Sequence, residues 1–133
     1  MNQKNKELLL KDLSARVPYG VFVEYDYGDS VKRVTKFHGN YLYLMMLDKL
    51  QWKDLKPYLR PLSSMTEKEE NEFKKIFELE LKAIESTEGH TIESAASSAF
   101  TIDFYNKYHF DYRGLIEMGL AIEVTKENNP YKE

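Results

Sequence analysis

The amino-acid sequence predicts an α+β fold, and three observations carry that prediction. Apolar residues recur at helical spacing near the start, alternate from Val21 onward, and return to helical spacing after Thr66. Glycine-containing turn signals, Gly28-Asp29 and Gly39-Asn40, divide the alternating part. A capping-box pattern, Thr66 with Glu69, opens the second helical part. The expected architecture is an antiparallel meander of three or four strands packed against an N-terminal helix and a long central helix. A C-terminal helix–turn–strand unit closes it. Residues 1–124 form the expected single domain, and the polar tail 125–133 is expected to fray.

Each element has its own reason. Leu8, Leu9, Asp12 and Leu13 sit at helical spacings, and Val17-Pro18 ends that run, because the residue before proline avoids helical backbone. Leu9, Leu13 and Val17 then share a stripe facing the core. Val21, Val23, Tyr25 and Tyr27 alternate with Glu24 and Asp26, the pattern of a half-buried strand. Val31 to His38 is the second strand, with poorer alternation. Tyr41 to Leu47 is apolar at every position and reads as a third strand covered on both faces. Residues 48–65 form a connector lying across the core, anchored by Trp52, Leu55, Tyr58 and Leu59, with room for one more strand. In the central helix Phe73, Ile76, Phe77, Leu81 and Ile84 make an apolar stripe. Residues 86–98 are small and polar and read as a surface loop. A third helix, Thr101 to Tyr108, turns Ile102, Tyr105 and Tyr108 inward. Asp111 caps a short helical turn from Tyr112 to Met118 that Gly119 closes, and Leu120 to Val124 adds a last strand.

Composition narrows the function classes. A chain of 133 residues is one ordinary domain, and its 42% hydrophobic content supports a packed core. The absence of cysteine excludes disulfides, thiolate metal sites and a cysteine nucleophile, and it is compatible with the expected cytoplasmic location. The N-terminal stretch MNQKNKELLLKDL is too short and too charged for a signal peptide or a membrane span. Net charge is −3 with no long basic run, which argues against nucleic-acid binding as a general property. The six glycines stand apart and form no phosphate loop. No cofactor is expected, and the partner looked for is another protein.

Three blocks mark a resemblance. ELLLKDLSARVPYGV near the start, KPYLRPLSSMTEKE at 56–69 and YHFDYRGLIEMGLAIE at 108–123 together cover about a third of the chain. They resemble a family of small uncharacterised proteins encoded by gut-dwelling anaerobic bacteria and their phages or other mobile elements. The chain departs from that pattern at 86–98 and in the ending AIEVTKENNP. The resemblance implies a bacterial or phage-derived cytoplasmic protein and brings no catalytic residues with it.

Four constellations are candidates for chemistry or contact. His109, Asp111, Tyr112 and Arg113 form the sharpest polar cluster. One reading pairs His109 with Asp111 as a general base and gives Arg113 a carboxylate or phosphate to hold. The other makes Asp111 a cap, Arg113 a structural ion-pair partner and His109 a packed ring. Lys56, Tyr58 and Arg60 alternate on an extended segment and offer a stacking or interaction surface, or else Tyr58 packs inward between solvated cations. His38, His90 and His109 lack any close ligand spacing, so no metal site is expected. Glu67, Glu69, Glu70, Glu72, Glu78 and Glu80 make the central helix acidic, either as a solvated face or as a docking surface for a basic partner. The functional expectation is a non-catalytic accessory or interaction protein. The alternative is a small ligand-binding protein or enzyme using His109, Asp111 and Arg113.

Overall fold

The computed structural model describes residues 2–26, 31–46, 55–85 and 100–132. Helix α1 spans Gln3–Arg16. Asn2 caps it, its side chain accepting the Asn5 N–H at 2.8 Å. Pro18 stops it, and a 3₁₀ turn at Val17–Tyr19 follows. Strand β1, Phe22–Asp26, shows the alternating burial its sequence predicts, with Val23 and Tyr25 turned into the core. Strand β2, Lys32–Lys36, pairs antiparallel with β1 in the register Glu24 to Val34. Tyr27 and the Gly28-Asp29 turn lie outside the described residues.

The apolar run after Gly39 is a helix and not the expected third strand. It is α2, Gly39–Met46, begun by the Tyr41 and Leu42 amides on the His38 carbonyl. A short wholly apolar run has no period that separates strand from helix. Its composition does separate them: YLYLMML holds no β-branched residue, and Leu and Met are strong helix formers. Tyr41 packs on Tyr25 and Phe37 at centroid distances of 6.3 and 5.9 Å. Tyr43 and Met46 face outward.

The third strand comes instead from the connector. Strand β3, Lys56–Leu59, pairs antiparallel with β1 through Val23–Pro57 and Glu24–Lys56. Pro57 is tolerated because the short β4 reaches only Tyr58 and Leu59, so no ladder donor is required of it. Strand β4, Ile122–Glu123, lies parallel to β3, and the sheet order is β2-β1-β3-β4. The fold is thus α+β with a mostly antiparallel four-stranded sheet. Helices α1 and α2 cover the face carrying Val21, Val23 and Tyr25, and Leu9, Leu13, Phe37, Leu55, Leu59 and Leu115 complete the core.

Helix α3, Glu67–Glu85, opens with the expected capping box. Glu69 N–H donates to Thr66 Oγ1 at 3.2 Å, and Thr66 N–H donates to Glu69 Oε1 at 2.9 Å. Of its apolar stripe Phe73 and Ile76 are half-buried and Phe77 is exposed, while the side chains of Leu81 and Ile84 lie outside the described residues. Residues 100–107 form α4. Its inward residues are Phe104 and Asn106, not Ile102, which is exposed. Phe73 meets Phe104 and Tyr105 at 5.3 and 6.2 Å, so an aromatic cluster joins α3 to α4. Residues 112–118 make turns without a regular helix, closed at Gly119 with φ +75°. The tail is not frayed over 125–132. Tyr131 is set against the sheet, edge-on to Phe22 at 5.4 Å. The loop expected at 86–98 lies outside the described residues.

Candidate functional site

His109 owes its position to the way α4 ends. Phe110 N–H donates to Tyr105 O at 2.8 Å, and His109 N–H donates to Asn106 O at 3.2 Å. Those two bonds are a Schellman cap, in which the residue at His109 takes left-handed backbone. Its φ is +64°, the one positive value at a non-glycine among the described residues. The same pair of bonds closes the next turn, Leu120 to Leu115 and Gly119 to Ile116, with glycine in that seat. His109 therefore occupies a place where glycine is the unstrained choice.

A stacked contact holds the ring there, on Tyr131, with centroids 3.7 Å apart and planes 9° apart. The Tyr131 hydroxyl accepts the Phe22 N–H at 3.0 Å and donates to the Tyr58 carbonyl at 2.7 Å. A side-chain oxygen thus stands between β1 and β3 beyond the last paired residues, bridging the two backbones. Burial pushes the His109 pKa down to about 4, helped by the positive charges of Arg16 and Arg60. Burial likewise raises the Tyr131 hydroxyl above its ordinary range.

The remaining members of the cluster are committed elsewhere. Asp111 accepts the Leu115 and Ile116 amides at 2.9 and 3.0 Å, four and five residues on, and so ties down the turns that follow without capping a helix from Tyr112. Tyr112 donates to Asn106 Oδ1 at 3.0 Å. Arg113 lies over the Tyr112 ring at 4.7 Å and faces Asp12 at 3.4 Å. The Asp111 carboxylate thus accepts two backbone amides, and burial makes the His109 imidazole a weaker base than usual. A general base works best with a pKa near the working pH.

Asp12 belongs to a set the residue pattern did not single out. Asp12 and Arg16 are both 0% exposed and pair at 2.8 Å across one turn of α1. Arg16 Nη2 also donates to the Phe110 carbonyl at 2.7 Å, and its guanidinium lies 5.1 Å from the Tyr112 ring centre. One carboxylate therefore sits between two guanidinium groups. A charged i,i+4 pair in register with Leu9 and Leu13 was the available signal in the sequence.

The segment Lys56, Tyr58 and Arg60 is likewise absorbed into the scaffold. Tyr58 is buried and donates to Glu24 at 2.9 Å, and burial followed by that carboxylate raises its pKa to about 12. Arg60 makes two 2.7 Å bonds to Glu69, donates to the Ser64 carbonyl, and lies 4.4 Å from the Phe110 ring centre. Hydrogen bonding from Arg60 holds the Glu69 carboxyl below the usual range. Lys56 is half-buried beside Glu24 in the strand register. Of the acidic helix, Glu69 meets Arg60, Glu70 meets Lys74, and Glu72 meets Lys107 and Tyr108.

An open groove of about 740 Å³ runs past His109 and Tyr131, with Arg60, Lys107 and Lys126 outnumbering the one carboxylate, Glu69. Asp111 and Arg113 do not line it. Among the described residues no cluster of three metal-ligating side chains occurs. His38 stands beside Tyr41, and His90 lies outside the described residues. No helix among the described residues is long and apolar enough to cross a membrane. Compared with known proteins, the chain matches no family model, no curated protein and no solved structure.

Proposed function

We propose that this chain is a non-catalytic accessory domain that acts through protein contacts, of the type carried by phages and other mobile elements. The observation that supports it most is the use made of the polar residues. Asp111, Tyr112, Arg113, Tyr58 and Arg60 all serve turns, ion pairs and internal hydrogen bonds. Large apolar side chains meanwhile stand in solvent: Val34 is 52% exposed, and Tyr43 and Met46 are each 63% exposed. The test is affinity capture from the native bacterial host with the tagged chain, alongside its sedimentation behaviour. The expected result is one specific stoichiometric partner. A monodisperse monomer that captures nothing specific defeats the reading.

The groove at His109 favours a second reading, a small-ligand site. Arg60 and Lys107 there already meet Glu69 and Glu72, so Lys126 is the cation it would offer an anion. Only His109 of the three residues first grouped for that role borders it.

A further inference from the structure

We propose that the outer edge of β2 is the docking edge of this domain, and that it takes an extended acidic segment of a partner protein as an added strand. This rests on the protein-contact reading above and names the partner's chemistry.

The backbone carries the argument first. Phe37 N–H donates to the Val21 carbonyl at 2.8 Å, which makes Val21 and Phe37 a hydrogen-bonded pair. Pairs in an antiparallel ladder alternate, so Val23–Thr35 and Tyr25–Arg33 are bonded pairs as well. Lys32, Val34 and Lys36 are the intervening residues, whose N–H and C=O groups point away from β1. Since β2 is the first strand of the sheet order, they point past its edge. No hydrogen bond from a described residue satisfies them. Four of the five β2 residues are exposed. The edge is therefore a template for another strand.

The side chains then select the occupant. Lys32, Val34 and Lys36 share one face, with Val34 half in solvent between the two lysines; Lys32 is 68% exposed and lies 3.8 Å from Glu24 of β1, so a partner's carboxylate would share it with Glu24. A second copy of the chain fits badly. Antiparallel self-pairing centred on Val34 sets Lys32 opposite Lys36 twice, and like charges directly opposite destabilise a ladder. An incoming strand of pattern acid–x–apolar–x–acid instead places carboxylates against both lysines and an apolar side chain on Val34. The lysines thus disfavour self-association and favour an acidic partner through the same charges.

The test uses the full chain and two synthetic peptides, each with a Thr-Val-Thr centre, one flanked by Glu and one by Lys. The Glu peptide should slow amide exchange at Lys32, Val34 and Lys36, with chemical-shift changes centred on β2. The Lys peptide should do neither. Lys32→Glu with Lys36→Glu should weaken the Glu peptide roughly tenfold, the size expected from two cross-strand charge pairs. Val34→Pro removes the outward N–H and the Val34 side chain but no bond to β1, so it should abolish edge protection at Lys32 and Lys36 and leave the β1–β2 ladder intact. Equal effects of both peptides, no effect at millimolar peptide, or protection that grows with protein concentration alone would each overturn the proposal. Repeating the host capture with Val34→Pro separates the two readings. A partner retained by that variant keeps the protein-contact function and removes β2 as its site, whereas capture of nothing by the wild type removes both.

Discussion

At the scale of single residues, His109 shows how a position is decided by its surroundings. Left-handed backbone costs about 1 kcal/mol or more for a residue with a Cβ, though His, Asn and Asp bear it better than most. The stack on Tyr131 and the ring's burial offset that strain. Burial also makes the residue sensitive to acid. Its ordinary pKa of 6.5 falls to about 4 in the fold, so the folded chain binds this proton less readily than the unfolded chain does. The stabilisation is therefore complete above pH 6.5 and is lost as pH falls from there toward 4, by roughly 3 kcal/mol at most. Partial solvent contact makes the real figure smaller. His109→Asn is the suitable control, since Asn accepts left-handed backbone but does not titrate. Urea unfolding at pH 7 and pH 4.5 should show the wild type losing more stability than His109→Asn. Glu69, held low by Arg60, destabilises both proteins alike as its carboxylate protonates. Equal losses in the two proteins would show that His109 is not the acid-sensitive group.

At the scale of elements, the tail is the instructive case. TKENNPYKE reads as polar and loose, and its one large aromatic is the part that docks. Tyr131→Phe keeps the ring and removes only the hydroxyl between the Phe22 amide and the Tyr58 carbonyl. Leaving those two groups without that partner should cost about 1–3 kcal/mol. The Phe22 amide should lose its exchange protection while amides in α3 keep theirs. Unchanged protection at Phe22 would mean that the bridge does not hold the strands. Local patterns made α1, β1 and the α3 capping box legible, because each is specified by neighbours within a few residues. The helix at Gly39–Met46 was not legible by period, since YLYLMML is apolar on every face. The pairing of β3 with β1 was not legible either, because it joins residues more than thirty positions apart and puts a proline in a strand.

At the scale of the whole molecule, a buried charge set ties the start of the chain to its end. Arg16 on α1 reaches the Phe110 carbonyl, 94 residues away, and Asp12 faces both Arg16 and Arg113. In the cluster from His109 to Arg113 both a catalytic and a structural set of roles could be read, but not Arg113's partner, since Asp12 lies on another element. The charge balance predicts which deletion hurts more. Removing Arg16 takes away its bond to Asp12 Oδ2 together with the bond to Phe110, and leaves the buried carboxylate facing Arg113 at 3.4 Å. With Met filling the space, Arg16→Met should cost about 3 kcal/mol, the low end for a buried pair broken on one side, because Arg113 still faces the carboxylate. Removing the Asp12 charge leaves two guanidinium groups around one Tyr112 ring without an anion. Asp12→Asn keeps the shape and should cost about 3–5 kcal/mol, the range for a buried pair broken on one side. Urea midpoints for the two variants at pH 7 decide it. If Arg16→Met is the more damaging, the two hydrogen bonds that Arg16 makes, to Asp12 and to the Phe110 carbonyl, outweigh the charge balance.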